Sequence, residues 1–195
     1  MAQAESVQVA DEQAAYRYRV SMNRLGLWIF LASEVFLFGG IAISRIILWG
    51  PTRPELEQLP AFLLTSALLL SSFFMNRAET AVTYGDRKTF QTGILATIVL
   101  GLVFLVGVVF IEWPLSHLSP AEDIYGAVFY LMTGMHAIHV LTGIIFLLII
   151  YRNSRKGLYT PGKHWPVEAA AVYWHFVDVV WIFFYPAIYL MGNVV

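Results

Sequence analysis

The chain has no cysteine. That excludes disulfides, iron–sulfur clusters and thiolate metal sites, and it leaves the redox compartment open. Charge is scarce too. Asp, Glu, Lys and Arg supply 13% of the residues, against about 25% in ordinary soluble domains. The net charge is -1, so nothing points to nucleic-acid binding. A cleavable signal is also missing: MAQAESVQVADEQAAYRYRV lacks the basic-then-apolar layout. It reads as a polar tail, 1–23, mobile up to about Tyr16. What the chain does have is apolar surface, at 58% hydrophobic residues. That composition cannot cover a water-soluble domain, and the class is an all-α integral membrane protein.

A membrane-crossing helix needs roughly 20 mostly apolar residues. Five stretches qualify, at about 25–48, 60–84, 91–111, 124–151 and 167–191. The connections are short and rich in turn residues, such as WGPTRPELEQLP and TYGDRKT. Short loops make sequential spans antiparallel neighbours. A single five-helix bundle over 24–195 follows, with no separate soluble domain. Ten of the twelve Lys and Arg fall on the side that holds the N-terminus; the exceptions are Arg45 and Arg53. The positive-inside rule then predicts a cytoplasmic N-terminus and a C-terminus outside. Trp28, Trp49, Trp113 and Trp165 fall near span ends, where amphipathic rings sit well.

A few ionisable residues lie inside these spans. Glu34 is ten residues from Arg24 and eleven from Arg45, about 15 Å from either end at helical rise. His136 and His139 are near the centre of the fourth span, and His175 and Asp178 near the centre of the fifth. Each pair is three apart and shares a helix face. Lipid offers no hydrogen bonds, so each pair must face the bundle or a partner. Two readings stand side by side. One is interhelical glue, with Asp178 accepting from His175 or from a neighbouring helix. The other is a metal or haem site, or a proton-handling one. His-x-x-His can chelate one ion, but two histidines three apart cannot supply both axial ligands of one haem. Glu34 sits among Phe30, Leu31, Leu37 and Phe38, where desolvation favours the neutral acid, and is read as proton-linked or partner-modulating. Pro186 predicts a kink. Gly39, Gly40, Gly134 and Gly143 allow close helix approach or are simply tolerated. YGDRKT reads as a solvated turn or a docking loop.

Five elements together resemble subunit III of the haem–copper respiratory oxidases, over about 22–192. They are WIFLASEVFLFGG around Glu34, YGDRK at 84–88, EW at 112–113, YGAVFYLMTGMHAIHVLTG at 125–143 and VYWHFVDVVWIFFYPAIYL at 172–190. The resemblance implies a noncatalytic subunit of a proton-pumping terminal oxidase in aerobic respiration, in a bacterial-type plasma membrane. Such a subunit packs against subunit I, supports proton uptake and slows inactivation during reduction of dioxygen to water. Subunit II and other respiratory complexes are further expected partners. Haem and copper are expected on the partner subunits, with no metal and no catalytic residue on this chain. Glu34 matches the family's carbodiimide-reactive glutamate. His136, His139, His175 and Asp178 match its buried polar positions. Asp86, Arg87, Lys88, Glu112 and Trp113 become candidates for docking a partner. Longer family members have seven spans and hold phospholipids in a cleft made by two extra helices. This chain resembles the five-span form, which implies that extra helices of subunit I fill that space or that phospholipid sits in a changed site. The alternatives are the related small subunit of nitric oxide reductases, a stand-alone haem b anchor, and a small proton-coupled transporter. The i,i+3 histidine spacing argues against the anchor, and the absence of internal repeats argues against the transporter.

Overall fold

The computed structural model describes residues 2–195, with side chains from residue 11 onward. Helix α1 (Ala2–Trp49) is followed by β1 (Thr52–Arg53), α2 (Gln58–Thr83) and α3 (Arg87–Gly107). A π-helical turn, Val108–Glu112, and the one-turn α4 (Trp113–Leu115) complete that span. Then come α5 (Ile124–Arg155), α6 (Trp165–Tyr189) and β2 (Asn193–Val194). Five of these segments are long and apolar enough to cross a membrane, as the composition predicts.

The stretch 2–23 is the first departure. It is helical from Ala2, rather than an irregular polar tail. It contains no Gly or Pro and is rich in Ala, Gln and Glu, all good helix formers. Extending an existing helix costs far less than nucleating one, so the span propagates outward into it. The chain forms two compact units, the first ending at Phe36 and the second being Leu37–Val195. The first unit is the N-terminal part of α1.

In the second unit α2, α3, α5 and α6 form a ring. Helix α2 packs on α3 and α6, and α5 packs on the same two. Local chemistry sets the helix ends. Gly85, at φ +78°, turns the chain after α2, and Asp86 then caps α3 by accepting from Thr89 N–H at 3.0 Å. Asp123 caps α5 through Gly126 N–H at 2.5 Å. The π turn coincides with Pro114, which has no N–H to give the Phe110 carbonyl.

The outer faces carry Leu, Ile and Phe, among them Phe62, Phe73, Phe110 and Phe183, all more than half exposed. A water-soluble protein would not show so much contiguous apolar surface; a bilayer accepts it. Large side chains fill the ring. Trp174, Trp181, Phe104, Phe129 and Phe184 are fully buried. Gly101 and Gly143 admit Trp174: a Cβ at either would meet its ring at 2.6 and 2.9 Å. Gly143 therefore serves close approach, as its sequence context allows. Gly39 and Gly40 do not, since nothing lies within 4 Å of a Cβ at either, and Gly134 is only in ordinary contact with Trp113. A close helix-to-helix backbone approach is instead made at Gly93, against Ala78 and the Phe74 carbonyl on α2.

Arg45 is buried at 2% exposure. Its guanidinium donates to Gly50 O at 3.2 Å and Met191 O at 2.5 Å, and lies 4.9 Å from the Trp49 ring centroid. It ties the C-terminal segment, where β2 pairs in parallel with β1, to the end of α1. Trp49 is likewise inside at 2% exposure and donates toward Ile124 O at 3.4 Å. It is a packing residue rather than an interfacial anchor.

Candidate functional site

The polar groups of α2 and α6 meet along the helix pair. Trp174 Nε1–H donates to Ser71 Oγ at 2.9 Å. Trp181 Nε1–H donates to Thr65 Oγ1 at 2.9 Å. Between them, Ser72 Oγ donates to Asp178 Oδ2 and lies 2.9 Å from His175 Nδ1. A serine hydroxyl has one proton to give. With that proton on the Asp178 bond, His175 must donate from Nδ1 to the Ser72 oxygen. The order is therefore His175 N–H to Ser72 O–H to Asp178, and it assigns the Nδ1–H tautomer. The i,i+3 pair on α6 is bridged by one hydroxyl of the neighbouring helix, which answers which group Asp178 accepts from. Asp178 is buried at 4% exposure, and its Oδ1 has no hydrogen-bond partner among the described residues.

The α5 histidines divide. His136 is fully buried, 4.6 Å centroid to centroid from Trp181 and 5.5 Å from Phe104. Neither of its ring nitrogens has a hydrogen-bond partner among the described residues. It is therefore an aromatic packing group here, not the hydrogen-bonding glue that its spacing suggests. His139 is half-buried, with Nδ1 2.7 Å from Met135 O on its own helix and its ring edge-on to Phe38 at 4.7 Å. Its backbone carbonyl accepts from Tyr173 Oη at 3.1 Å and Thr142 Oγ1 at 2.9 Å. The α5 and α6 pairs thus do not merge into one polar centre: His136 makes no hydrogen bond, and Asp178 uses Ser72. Among the described residues no three of His, Asp or Glu converge as a metal site would require.

Glu34 lies in the first unit and is half-buried. Of the apolar residues flanking it in sequence, Leu31 and Phe38 are buried, and Phe30 and Leu37 are exposed.

The docking candidates separate as well. Asp86, Arg87 and Lys88 are exposed. Hydrogen bonds from the Thr89 side chain and N–H hold the Asp86 carboxyl below the usual carboxylate range. Arg87 Nη2 donates to Arg155 O at 2.5 Å, tying the α2–α3 turn to the end of α5. A cavity of about 190 Å³ lies beside it, lined also by Phe90, Ser154, Tyr159 and Thr160. Glu112 is not available for docking. It is buried at 5% exposure, because the π turn rotates it inward. Trp113 is half-buried, with Nε1 donating to Thr133 Oγ1 at 3.1 Å and its carbonyl accepting from Tyr130 Oη at 3.4 Å. Both residues are committed to the chain's own packing.

With this geometry in place, comparison with known proteins identifies the family. The family model described as cytochrome c oxidase subunit III matches residues 13–193. The chain belongs to that family. A cytochrome c oxidase subunit 3 from Thermostichus vulcanus is 34% identical over 174 residues, covering 86% of each chain. One from Artemia franciscana is 40% identical over 183 residues, covering 87% of this chain and 69% of its own. One from Rattus norvegicus is 37% identical over 183 residues, covering 87% of this chain and 70% of its own. The chain is therefore subunit III of a haem–copper oxidase and an integral membrane component of that complex.

For this subunit III the sequence reading missed Thr65, Ser71, Ser72, Trp174 and Trp181. A signal was available. Hydroxyls at 65, 71 and 72 interrupt an apolar run, and tryptophans at 174 and 181 are two turns apart on one face. The magnitude of the bridge follows from where it sits. Interhelical hydrogen bonds in membranes average about 0.6 kcal/mol, because the unfolded chain in lipid also finds partners. Asp178→Asn, which keeps an acceptor toward Ser72, should therefore lower unfolding free energy by no more than about 1–2 kcal/mol. Equilibrium unfolding in mixed micelles measures this. A collapse of the fold in that variant would mean that Asp178 carries more than a bridge.

Proposed function

We propose that the chain is the noncatalytic subunit III of a proton-pumping terminal oxidase, in which it packs against subunit I, contacts subunit II, and supports proton uptake during reduction of dioxygen to water. Haem and copper reside on the partner subunits. The names of the relatives support cytochrome c as the electron donor. The membrane is a bacterial-type plasma membrane, with the N-terminus cytoplasmic, as the ten-to-two distribution of Lys and Arg favours. Glu34 is the proton-linked carboxyl, and the exposed Asp86–Lys88 turn is a docking element for a partner. Phospholipid is a further expected ligand of the complex.

The observation that carries the noncatalytic reading is how the intramembrane histidines are used. His175 is bonded to Ser72, and His136 is packed between Phe104 and Trp181. The test is a pull-down of the tagged chain from its native membrane in mild detergent, with haem and copper counted per chain before and after the partners are stripped. Both should arrive with large partners and leave with them. Haem retained on the stripped chain would sink the proposal and make His136, His139 and His175 ligand candidates.

A further inference from the structure

Glu112 is a buried carboxyl that no part of the above explains. Neither of its oxygens makes a well-formed hydrogen bond among the described residues, and neither does the neighbouring Tyr189 hydroxyl. The two groups are close enough to interact, yet make no well-formed direct hydrogen bond. Both line a cavity of about 10 Å³, together with Ser116, Phe129 and Glu57. That is near the smallest space that holds one water, which also needs two to four polar partners. The two carboxyl oxygens and the phenol supply three. An acid left bare in this setting would be costly, and a bridging water removes most of that cost. The π turn is what aims the carboxyl there, and such turns recur at functional sites.

The cavity also has a mouth. Glu57, just before α2, lines it and is itself exposed. The titratable groups facing Glu112 are Tyr185 and Tyr189 from α6 and Glu57 from the α2 end, while α5 contributes only Phe129. No cation is among them.

We propose that Glu112 is a proton-exchange site, linked to Glu57 at the aqueous rim by one water held in this cavity by its carboxyl and the Tyr189 hydroxyl. In release, Glu112 gives its proton to the water, and the water passes one of its own to the Glu57 carboxylate. Reloading runs the same steps in reverse. Tyr189 holds the water in place and keeps its own proton.

Infrared difference spectroscopy of the purified full complex, between acid and alkaline buffers in H2O and D2O, tests this. One carboxylic C=O band should titrate, move promptly in D2O, and be lost in Glu112→Gln. Tyr189→Phe should shift that band in frequency, and Glu57→Gln should slow its exchange in D2O. If Glu112→Gln fails to assemble, Tyr189→Phe carries the test, since it removes only a hydroxyl. No band lost in Glu112→Gln, or a band indifferent to both D2O and Tyr189→Phe, would overturn the proposal and leave Glu112 a sealed packing group. The readout does not depend on what the subunit contributes to turnover.

Discussion

Trp174→Ala lowers the unfolding free energy by about 2–4 kcal/mol, the largest loss expected from one side chain here. In water-soluble proteins Trp→Ala costs about 3–5 kcal/mol, as a transfer term plus a cavity term. Lipid weakens the transfer term, because the unfolded reference is apolar too. The cavity term remains. The Trp174 ring fills the space left by Gly101 on α3 and Gly143 on α5, so its removal opens a void against three helices at once. Ser71 also loses the donor at 2.9 Å, a further ~0.6 kcal/mol. Equilibrium unfolding in mixed micelles gives the number, and the yield of assembled complex follows it. Trp174→Phe keeps a ring and should recover about half. A Trp174→Ala chain as stable as the parent would show that the ring of four helices closes over the gap.

Gly93→Ala is the second. A Cβ there would sit 2.8 Å from the Ala78 Cβ and 2.9 Å from the Phe74 carbonyl oxygen. Neither atom can rotate away, since one is attached directly to the α2 backbone and the other belongs to it. The α2–α3 pair must separate, and overpacking of this kind costs about 1–3 kcal/mol. Gly40→Ala is the matched control. Nothing lies within 4 Å of its Cβ, so the better helix propensity of Ala should leave stability unchanged or slightly raised. The same unfolding measurement ranks the two. Equal effects would mean that α2 and α3 are not held at this approach.

Helix α1 and the turn at Pro114 show where sequence reading is weak. Periodicity and hydropathy locate an apolar run, but they do not say where a helix stops once no breaker is present. The polar stretch 2–23 therefore looked like a tail and is helix. Likewise, Glu112 beside Trp113 looked like a loop element. Only the π turn, with its extra residue, decides that the carboxyl points inward. Gly39 and Gly40 form a plausible small-residue contact on paper, yet the close approach is made by Gly93, Gly101 and Gly143. Small residues permit contact, and the neighbouring helix decides whether it happens.

By itself the sequence determined the membrane class, the five apolar spans, the family, and the i,i+3 spacing of His136 with His139 and of His175 with Asp178. Each of these depends on composition or on local helix geometry, which a single chain segment carries. The partners of those groups were decided only by the tertiary structure. Ser72 meets His175 and Asp178 because α2 lies against α6. His136 packs against Phe104 and Trp181, and neither of its ring nitrogens finds a partner among the described residues. Helix order around a ring is a property of packing between distant segments, and nothing in one segment's period encodes which neighbour it will face.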